Sequence, residues 1–345
     1  MTGLLEIARR VTGRTTGRLQ SLPILALNVH TGCNCRCVMC DIWKANADGR
    51  ELSVAQLSEH VGAIRRMRVR RVMLTGGEPL LHPNLWALCD LLAAEGIRTT
   101  LVTTGLLVEK HAAAIAKAID TVVVSVDGPP EAHDAIRRVT GAFHLILRGM
   151  AALKVARVRP RLIARSVVQR GNFTLLAETI GAVRAAGFDE LSFLAADVTS
   201  TAFNRPAPWD QSRRDEVAIG EGDLPRLREE IRRACDVERE AFDEGFVAGG
   251  AASLTRILRY YTALAHDGPF PEVRCNAPWV SAVLEPDGSF RPCFFQQAYP
   301  KAAGPFDVVL NSPDAIAFRR ALDPATNDTC RRCVCSLNLR PAASA

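Results

Sequence analysis

The sequence has few aromatic residues, no long apolar run and no secretory signal. Phe, Trp and Tyr make up 6% of the 345 residues, and the net charge of +6 comes mostly from scattered arginines. A nucleic-acid-binding surface usually interleaves aromatic residues with a basic stripe, so nucleic-acid binding is not expected. A transmembrane helix needs about 18 or more consecutive apolar residues, which the chain does not have. We therefore expect a cytoplasmic protein.

The first 19 residues also lack the apolar core of a signal peptide. They are rich in arginine, and Leu4, Leu5, Ile7, Ala8 and Val11 can share one helical face. We expect a helix that covers the domain. The alternative is a weak contact of residues 1–19 with a membrane surface.

Disulfide bonds are not indicated either. The chain has 11 cysteines, an odd number, and clustered thiols without a signal peptide favour metal sites in a reducing compartment. Cys89 and Cys235 stand alone in the sequence. The others form two groups, namely Cys33, Cys35, Cys37 and Cys40, and then Cys275, Cys293, Cys330, Cys333 and Cys335.

The first cysteine group is the most informative feature. Cys33, Cys37 and Cys40 have the spacing C-x3-C-x2-C and follow an apolar, strand-like run. Three thiolates can hold a [4Fe–4S] cluster and leave its fourth iron open to a small molecule. A structural zinc ion would need a fourth ligand nearby, and none follows at the usual spacing. From spacing alone a cluster is favoured, while zinc and coincidence stay open, and Cys35 is expected to point away.

Residues 24–195 alternate between strand and helix patterns. Six such units predict an α/β fold with a parallel sheet, curled into a partial (β/α)6 TIM-type barrel. Ser53 and Gln56 form a capping box that predicts a helix to about Met67. The predicted strands are Ile24–His30, Arg71–Thr75, Arg98–Thr103, Thr121–Val126, Arg161–Val168 and Glu190–Ala195.

Polar or glycine-rich clusters follow the first four strands. In a barrel of this kind, chemistry takes place where the strands end, so the clusters are expected to converge on one site. They are the cysteine triplet, Gly76-Gly77-Glu78-Pro79, Thr103-Thr104-Gly105 and Ser125-Val126-Asp127-Gly128.

The pattern changes after residue 199. Residues 199–222 contain prolines and glycines and predict a connection out of the barrel. Asp223 is expected to cap a helix to about Glu244, and a second helix covers about Ala252–Ala265. From Cys275 onward, short strands, turns and cysteines alternate. The expected domains are an extension at 1–22, the barrel at 23–200, a helical connection at 201–270 and a Cys-rich domain at 271–345.

Together these residues resemble the radical S-adenosylmethionine (radical SAM) superfamily. The resemblance rests on the cysteine triplet, the Gly-Gly-Glu-Pro loop and Ser125-x-Asp127-Gly128, and the C-terminal cysteines resemble its SPASM/Twitch extensions. It covers residues 24–340. It implies an oxidoreductase whose [4Fe–4S] cluster cleaves S-adenosylmethionine to a 5′-deoxyadenosyl radical, which abstracts hydrogen from a substrate. The electron donor would be a flavodoxin or ferredoxin.

The resemblance also implies residue roles. Cys33, Cys37 and Cys40 would bind the cluster, and Arg137 or Arg138 would pair with the methionine carboxylate. Thr104 lies in the predicted cofactor site, and Met39 stands where the family often has an aromatic residue near adenine. The other contacts to S-adenosylmethionine would come from Gly76, Gly77, Glu78, Pro79, Ser125, Asp127, Ser166 and Leu194.

The C-terminal cysteines resemble a shortened SPASM pattern. The resemblance implies one auxiliary [4Fe–4S] cluster that accepts or relays the substrate electron, with Cys335 as a spare or substitute ligand. A zinc site remains the alternative. The implied ligands are Cys275, Cys293, Cys330 and Cys333.

The substrate is the least determined feature. Peptide-modifying members often carry an N-terminal leader-binding domain, and only about 23 residues precede the first strand. We therefore expect a small molecule, either sugar- or aminocyclitol-like or lipid-like. The alternative is a maturase of ribosomal peptides, or an epimerase with Cys235 or Cys335 as hydrogen donor. A remote alternative is a non-catalytic iron–sulfur or zinc protein that binds nucleic acid.

Overall fold

The computed structural model describes residues 2–156, 158–300 and 304–339. The first residue of the predicted extension at 1–22 lies outside the described residues. The last residues of the predicted domain at 271–345 also lie outside them. The chain divides into two compact units, each built from separate stretches of sequence. The first unit consists of Met1–Gly32, Ala45–Leu101 and Val273–Ala345, and the second of Cys33–Lys44 and Val102–Glu272. The predicted domain boundaries stay a prediction.

The first unit contains three parallel strands, a hairpin and helices from both ends of the chain. Its elements are α1 (Thr2–Thr16), β1 (Ile24–His30), α2 (Val54–Arg66), β2 (Arg71–Gly76), α3 (Leu85–Ala94), the start of β3 (Arg98–Thr103), α12 (Ala277–Val280), β7 (Ser281–Leu284), β8 (Phe290–Arg291), α13 (Phe306–Val309), α14 (Pro313–Ala321) and α15 (Asp328–Arg331).

The sheet of this unit is mostly parallel. Strand β1 pairs in parallel with β2 on one side and with β7 on the other, and β2 pairs with β3. The sequence did not predict that β7 would add to the sheet beside β1. A turn at Pro286–Gly288 joins β7 to the antiparallel β8, as the Pro-Asp-Gly sequence favours.

Local signals set the helix ends as expected. Ser53 accepts a hydrogen bond from the backbone N–H of Gln56, and the Gln56 side chain accepts one from the N–H of Ser53, so the capping box of α2 is complete. Gly96, just after α3, has φ of +67°, a conformation that glycine adopts without strain.

The second unit contains the remaining parallel strands and a group of long helices. Its elements are α4 (Val108–Ala118), β4 (Thr121–Ser125), α5 (Pro130–Arg137), α6 (Ala142–Lys154), β5 (Arg161–Val168), α7 (Leu176–Ala186), β6 (Glu190–Ala195), α8 (Gln211–Val217), α9 (Leu224–Val237), α10 (Arg239–Asp243) and α11 (Gly250–His266).

The helix predicted to run from Asp223 to Glu244 is interrupted. Helix α9 ends at Val237, and α10 begins two residues later. Asp223 stands at the N-cap position, but its side chain makes no capping hydrogen bond. The prediction that Asp223 caps the helix was therefore wrong. Pro225 has no backbone N–H, so one of the groups that a capping side chain would bind is missing.

Strands β4, β5 and β6 have one closely packed face and one half-buried face. Ala164, Ser166 and Val168 of β5 are buried, whereas Arg165 and Val167 are half-buried. Because side chains alternate along a strand, the register assigns neighbouring residues to these faces. Ser125 lies opposite Arg165, and Leu194 lies opposite Val167.

No helix in the part of the chain that the structure describes is long and apolar enough to cross a membrane.

Candidate functional site

Cys33, Cys37 and Cys40 lie close together in the segment Cys33–Lys44, which we call the Cys loop. Burial raises the pKa of the Cys40 thiol to about 12, and the nearby Cys37 and Cys33 thiols raise it further. The Cys37 thiol behaves in the opposite way. A hydrogen bond with Cys35 lowers its pKa to about 6, and the Arg137 guanidinium also lowers it. The site therefore favours the thiolate at Cys37, the form that binds metal.

Cys35 does not point away from these thiols, so that expectation was wrong. Its buried side chain hydrogen-bonds with both Cys33 and Cys37, which raises its pKa together with burial. The reason is local geometry. These three cysteines are alternate residues of a segment without helix or strand, and its path brings their side chains together.

The C-terminal end of α5 holds the Cys loop. The backbone N–H of Arg36 donates to the carbonyl of Arg137 over 3.2 Å, and that of Val38 donates to Ile136 over 3.0 Å. Arg137 also donates from Nη1 to the Sγ atom of Cys37 over 3.5 Å. The helix end thus binds the loop through its backbone and through one cysteine.

Arg137 is committed to a second partner inside the protein. Its Nη2 lies 2.5 Å from Oδ2 of Asp127, and both side chains are at most 8% exposed. The other Asp127 oxygen accepts a hydrogen bond from the N–H of Val167 over 2.8 Å. Asp127 and Arg137 form a buried ion pair that connects β5 to the Cys loop. Their predicted contacts with S-adenosylmethionine stay predictions.

His133 supports the same ion pair from α5. Its Nδ1 accepts a hydrogen bond from the N–H of Asp127 over 3.1 Å, which requires this nitrogen to be unprotonated. Burial and, to a smaller extent, the positive charge of Arg137 together lower the pKa of His133 to about 3. A neutral imidazole is therefore built into the support of the Cys loop.

The structure unites some of the other predicted residues and separates others. Thr104 donates from Oγ1 to Oδ1 of Asn34 over 3.0 Å, so it contacts the Cys loop. Ser125 and Leu194 both lie on the half-buried face of β4–β6, whereas Ser166 lies on the opposite, buried face. Ser166 and Leu194 therefore do not share one surface.

The sequence did not point to Arg165, which the structure places on the half-buried face. It is the direct neighbour of Ser125 across the β4–β5 pair, and its Nε donates to Oγ of Ser192 over 3.4 Å. In the sequence it is one of many scattered arginines. It could have been identified only from the alternation of side chains along β5 together with the register of the β4–β5 pair.

The loop after β2, in the first unit, needs its two glycines because other backbone atoms lie very close to them. A Cβ atom on Gly77 would lie 2.0 Å from the carbonyl oxygen of Gly32, and one on Gly76 would lie 2.3 Å from that of His30. The Gly77 N–H donates to His30 and the Glu78 N–H to Gly32. A larger residue would break this contact, so the glycines shape the loop itself.

Glu78 and Pro79 complete this loop. The Glu78 carboxylate is fully buried, and its Oε1 accepts a hydrogen bond from the N–H of Leu80 over 3.0 Å. Pro79 begins a short 3-10 turn to Leu81. The contact of Glu78 with a methionine ammonium group stays a prediction.

The structure brings the five thiols of the C-terminal group near one another, all in the first unit. Burial raises the pKa of Cys293 to about 11, and Cys330 and Cys275 raise it further. Burial also raises the pKa of Cys333, and Cys335, Cys293 and Cys275 add to the shift. Within the described ranges, no group of three or more His, Cys, Asp or Glu side chains is arranged to hold a single metal ion.

Amides contact the C-terminal thiols, and burial together with the charge of Asp323 raises the pKa of Cys330. Gln296 donates from Nε2 to the Sγ of Cys330 over 3.3 Å and to Oδ1 of Asn327 over 3.0 Å. Asn276 fixes the segment after Cys335 through hydrogen bonds with the carbonyls of Leu337 and Leu339.

The two candidate hydrogen donors differ in exposure. Cys235 is half-buried on α9, and burial together with Asp236 raises its pKa. Cys335 is exposed, and its carbonyl accepts a hydrogen bond from the Cys333 thiol over 2.6 Å. The roles of both as hydrogen donors stay predictions.

These donor sets fit iron–sulfur clusters. The Cys loop brings Cys33, Cys37 and Cys40 together with Cys35. The three thiols of the C-x3-C-x2-C spacing are the number that leaves one iron of a [4Fe–4S] cluster open. The buried guanidinium of Arg137 donates to one of them, which compensates the negative charge of a thiolate-bound cluster. The C-terminal group presents five thiols, and four are enough to bind every iron of such a cluster.

Two family models match the chain. The model described as the radical SAM superfamily matches residues 27–173, which include the Cys loop and the loop after β2. The model described as SPASM, an iron-sulfur cluster-binding domain, matches residues 275–334.

A curated relative matches part of the chain. The mycofactocin maturase MftC of Mycobacterium tuberculosis (strain ATCC 25618 / H37Rv) is 34% identical over 161 residues, which are 44% of this chain and 40% of that protein. The match therefore spans less than half the length of either protein.

Solved structures show a similar fold over nearly the whole chain. Streptococcus suis SuiB bound to the precursor peptide SuiA matches with a TM-score of 0.62 at 16% identity, over 94% of this chain and 73% of that one. The enzyme anSMEcpe with bound AdoMet and the Cp18Cys peptide matches with a TM-score of 0.61 at 18% identity, over 91% and 88%.

Together these matches confirm the predicted superfamily, the α/β fold class and the predicted cofactors, a [4Fe–4S] cluster with S-adenosylmethionine and further iron–sulfur binding at the C-terminus.

Proposed function

We propose that this chain, a member of the radical SAM superfamily with a C-terminal SPASM domain, is an enzyme that oxidatively modifies a peptide or protein. The observation that carries the proposal is the combination of two separate cysteine groups, the first inside the radical SAM match and the second, except for Cys335, inside the SPASM match. The similarity to a maturase favours a peptide over the small molecule that the sequence alone suggested. A sugar-, aminocyclitol- or lipid-like substrate becomes the alternative outcome of the test.

The residues around the Cys loop have defined tasks in this proposal. Cys33, Cys37 and Cys40 would hold a [4Fe–4S] cluster. The reduced cluster would supply the electron that cleaves bound S-adenosylmethionine to methionine and a 5′-deoxyadenosyl radical, and this chemistry belongs to the cofactor. The protein supplies position. Arg137 would keep its hydrogen bond to Cys37, and Asp127 would hold Arg137 in place.

We further propose that Arg165 and Ser125 bind an anionic group of the cofactor or substrate. They are neighbours on the half-buried face of β4–β6, where a guanidinium and a hydroxyl can both donate to a carboxylate. Arg165 suits this task better than Arg137, whose guanidinium is already bound to Asp127.

The proposal is tested with the anaerobically reconstituted full chain, dithionite and S-adenosylmethionine. We expect 5′-deoxyadenosine and methionine as products from the unaltered chain and none from Cys37→Ala. The matched control is Cys89→Ala, since Cys89 is buried on α3 and belongs to neither cysteine group. Equal product from Cys37→Ala and the unaltered chain would refute the radical SAM activity.

The substrate class is tested in the same assay. The probes are deuterated peptides translated from short reading frames beside the gene, compared with a panel of deuterated sugars and aminocyclitols. We expect deuterium in 5′-deoxyadenosine with a peptide, together with loss of two hydrogens from that peptide. Deuterium transfer from a sugar alone would replace the peptide proposal with the small-molecule one.

A further inference from the structure

Charged residues are buried in the segment that follows β6, which the sequence predicts only as a connection. Asp197 comes two residues after the end of β6, and Arg205 follows a tight turn. Their side chains are 2% and 0% exposed. We call residues 197–213 the strap, and it belongs to the same unit as the Cys loop.

The strap is organised around Arg205. Its Nη1 donates to Oδ2 of Asp197 over 2.8 Å, and its Nη2 donates to the Asp197 carbonyl over 2.8 Å. The guanidinium stacks 3.8 Å from the ring centroid of Trp209, and Arg213 lies 4.8 Å from the same ring. Burying two charges costs desolvation energy, so this pair needs its excellent geometry to persist.

The backbone of the strap is strained next to Arg205. Phe203 has φ of +60° and Asn204 has φ of +63°, values in the left-handed region. A bulky residue such as phenylalanine rarely adopts this conformation, and it persists only where the surroundings enforce it. The turn directs Arg205 back toward Asp197.

Three side chains of the strap reach the Cys loop on both sides of Cys40. Arg205 donates from Nη2 to the Met39 carbonyl over 3.3 Å, and Trp209 donates from Nε1 to Oδ2 of Asp41 over 2.8 Å. Arg213 donates to the carbonyl of Val38. The strap thus holds the backbone immediately before Cys40 and the Asp41 side chain immediately after it.

We propose that the strap holds the Cys loop in its cluster-binding conformation and that Arg205 is its positioning residue. Arg205 contacts no reacting atom in this proposal. It fixes the turn at Met39–Asp41, so that Cys40 is held beside Cys33 and Cys37. The inference rests on the proposed function, because it assumes that the Cys loop binds a cluster.

The test measures how fast the anaerobically reconstituted full chain releases iron to a chelator. Cys37→Ala identifies the phase of release that belongs to the Cys loop. In Arg205→Gln we expect this phase to be roughly ten-fold faster, because loss of a residue that orients a metal ligand typically weakens binding by 10–100-fold. The phase of the C-terminal cysteines should keep its rate.

A second readout is the electron paramagnetic resonance spectrum of the reduced protein with and without S-adenosylmethionine. Only a cluster with an open iron should change its spectrum when S-adenosylmethionine binds. We expect Arg205→Gln to broaden or weaken that change. The matched control is Arg228→Gln, which removes an exposed arginine of α9 and should leave the release rates and the spectrum unchanged.

Trp209→Phe keeps the proposal testable if Arg205→Gln does not fold. The variant preserves a ring against Arg205 and removes only the hydrogen bond to Asp41, so a smaller acceleration is expected. Release rates and spectra equal to those of the unaltered chain in every variant that folds would overturn the inference. Equal acceleration of both phases would also overturn it, since that indicates general destabilisation. Absence of any cluster in the unaltered chain would instead refute the proposed function.

Discussion

The two cysteine groups differ in the groups that contact their sulfur atoms. In the Cys loop, Arg137 contacts Cys37 directly, and the buried pair of Asp197 and Arg205 contacts the backbone beside Cys40. The C-terminal thiols are contacted by amides, such as Gln296 at Cys330. Nearby charge, hydrogen bonds to sulfur and exposure set the reduction potential of a cluster. The comparison therefore indicates two sites tuned for different tasks.

The largest test of this comparison removes one C-terminal thiol. We expect Cys293→Ala to lose about four iron atoms, the content of one cluster, and to keep the cleavage of S-adenosylmethionine. The reason is that Cys293 belongs to the C-terminal group and the Cys loop does not depend on it. Iron analysis together with the 5′-deoxyadenosine assay measures both effects.

Cys335→Ala is the matched control. Its side chain is exposed, and the Cys333 thiol donates to its carbonyl, so the iron content should stay unchanged. If Cys335→Ala loses as much iron as Cys293→Ala, the assignment of Cys335 as a spare residue is wrong.

A smaller effect is expected from the charge at the Cys loop. Arg137→Gln removes a buried cation beside Cys37, and a nearby positive charge stabilises the reduced, more negative cluster. We expect its reduction potential to fall by roughly 60 mV, a ten-fold change for a one-electron couple. A redox titration followed by electron paramagnetic resonance measures this.

Arg138→Gln tests whether the shift in reduction potential requires Arg137 itself or follows from the loss of any arginine in this region. Arg138 is the next residue and is exposed, so its removal should shift the potential much less. Equal shifts in both variants would show that the general charge of α5 matters rather than the contact with Cys37.

The smallest effect is a pH dependence of stability on the Cys-loop side. The pKa of His133 is about 3 in the folded chain, because of burial and then Arg137, and about 6.5 in the unfolded chain. Between these values the unfolded state alone takes up the proton. Stability from this group is therefore complete above pH 6.5 and falls as the pH drops, by about 1.4 kcal/mol per pH unit.

Unfolding in urea at several pH values measures this slope. His133→Asn keeps an oxygen that can accept the hydrogen bond from the Asp127 N–H but does not titrate, so its slope should be smaller by one proton. An unchanged slope in this variant would mean that His133 is not the group responsible.

Much of the architecture was predictable because its signals are local. The alternation of strands and helices indicated the parallel α/β fold, and the capping box located the start of α2. The less regular C-terminal region was harder to predict. Strand β7 is only four residues long, and nothing in its sequence states that it pairs with β1.

The expectation of a small-molecule substrate shows a different limit. It depended on the short stretch before the first strand, which says little about the site itself. Our proposal of a peptide substrate uses the similarity to a maturase instead, and residues such as Arg165 are where the structure offers contacts to a substrate or cofactor.

By itself, the sequence determined the cysteine spacing, the order of the strands and the family, since each depends on residues that are near one another along the chain. Only the tertiary structure decided the partners of the Cys loop. Arg137 is 100 residues from Cys37, and Arg205 is 166 residues from Met39. Such contacts leave no periodicity or motif in the sequence, because they exist only after packing brings distant segments together.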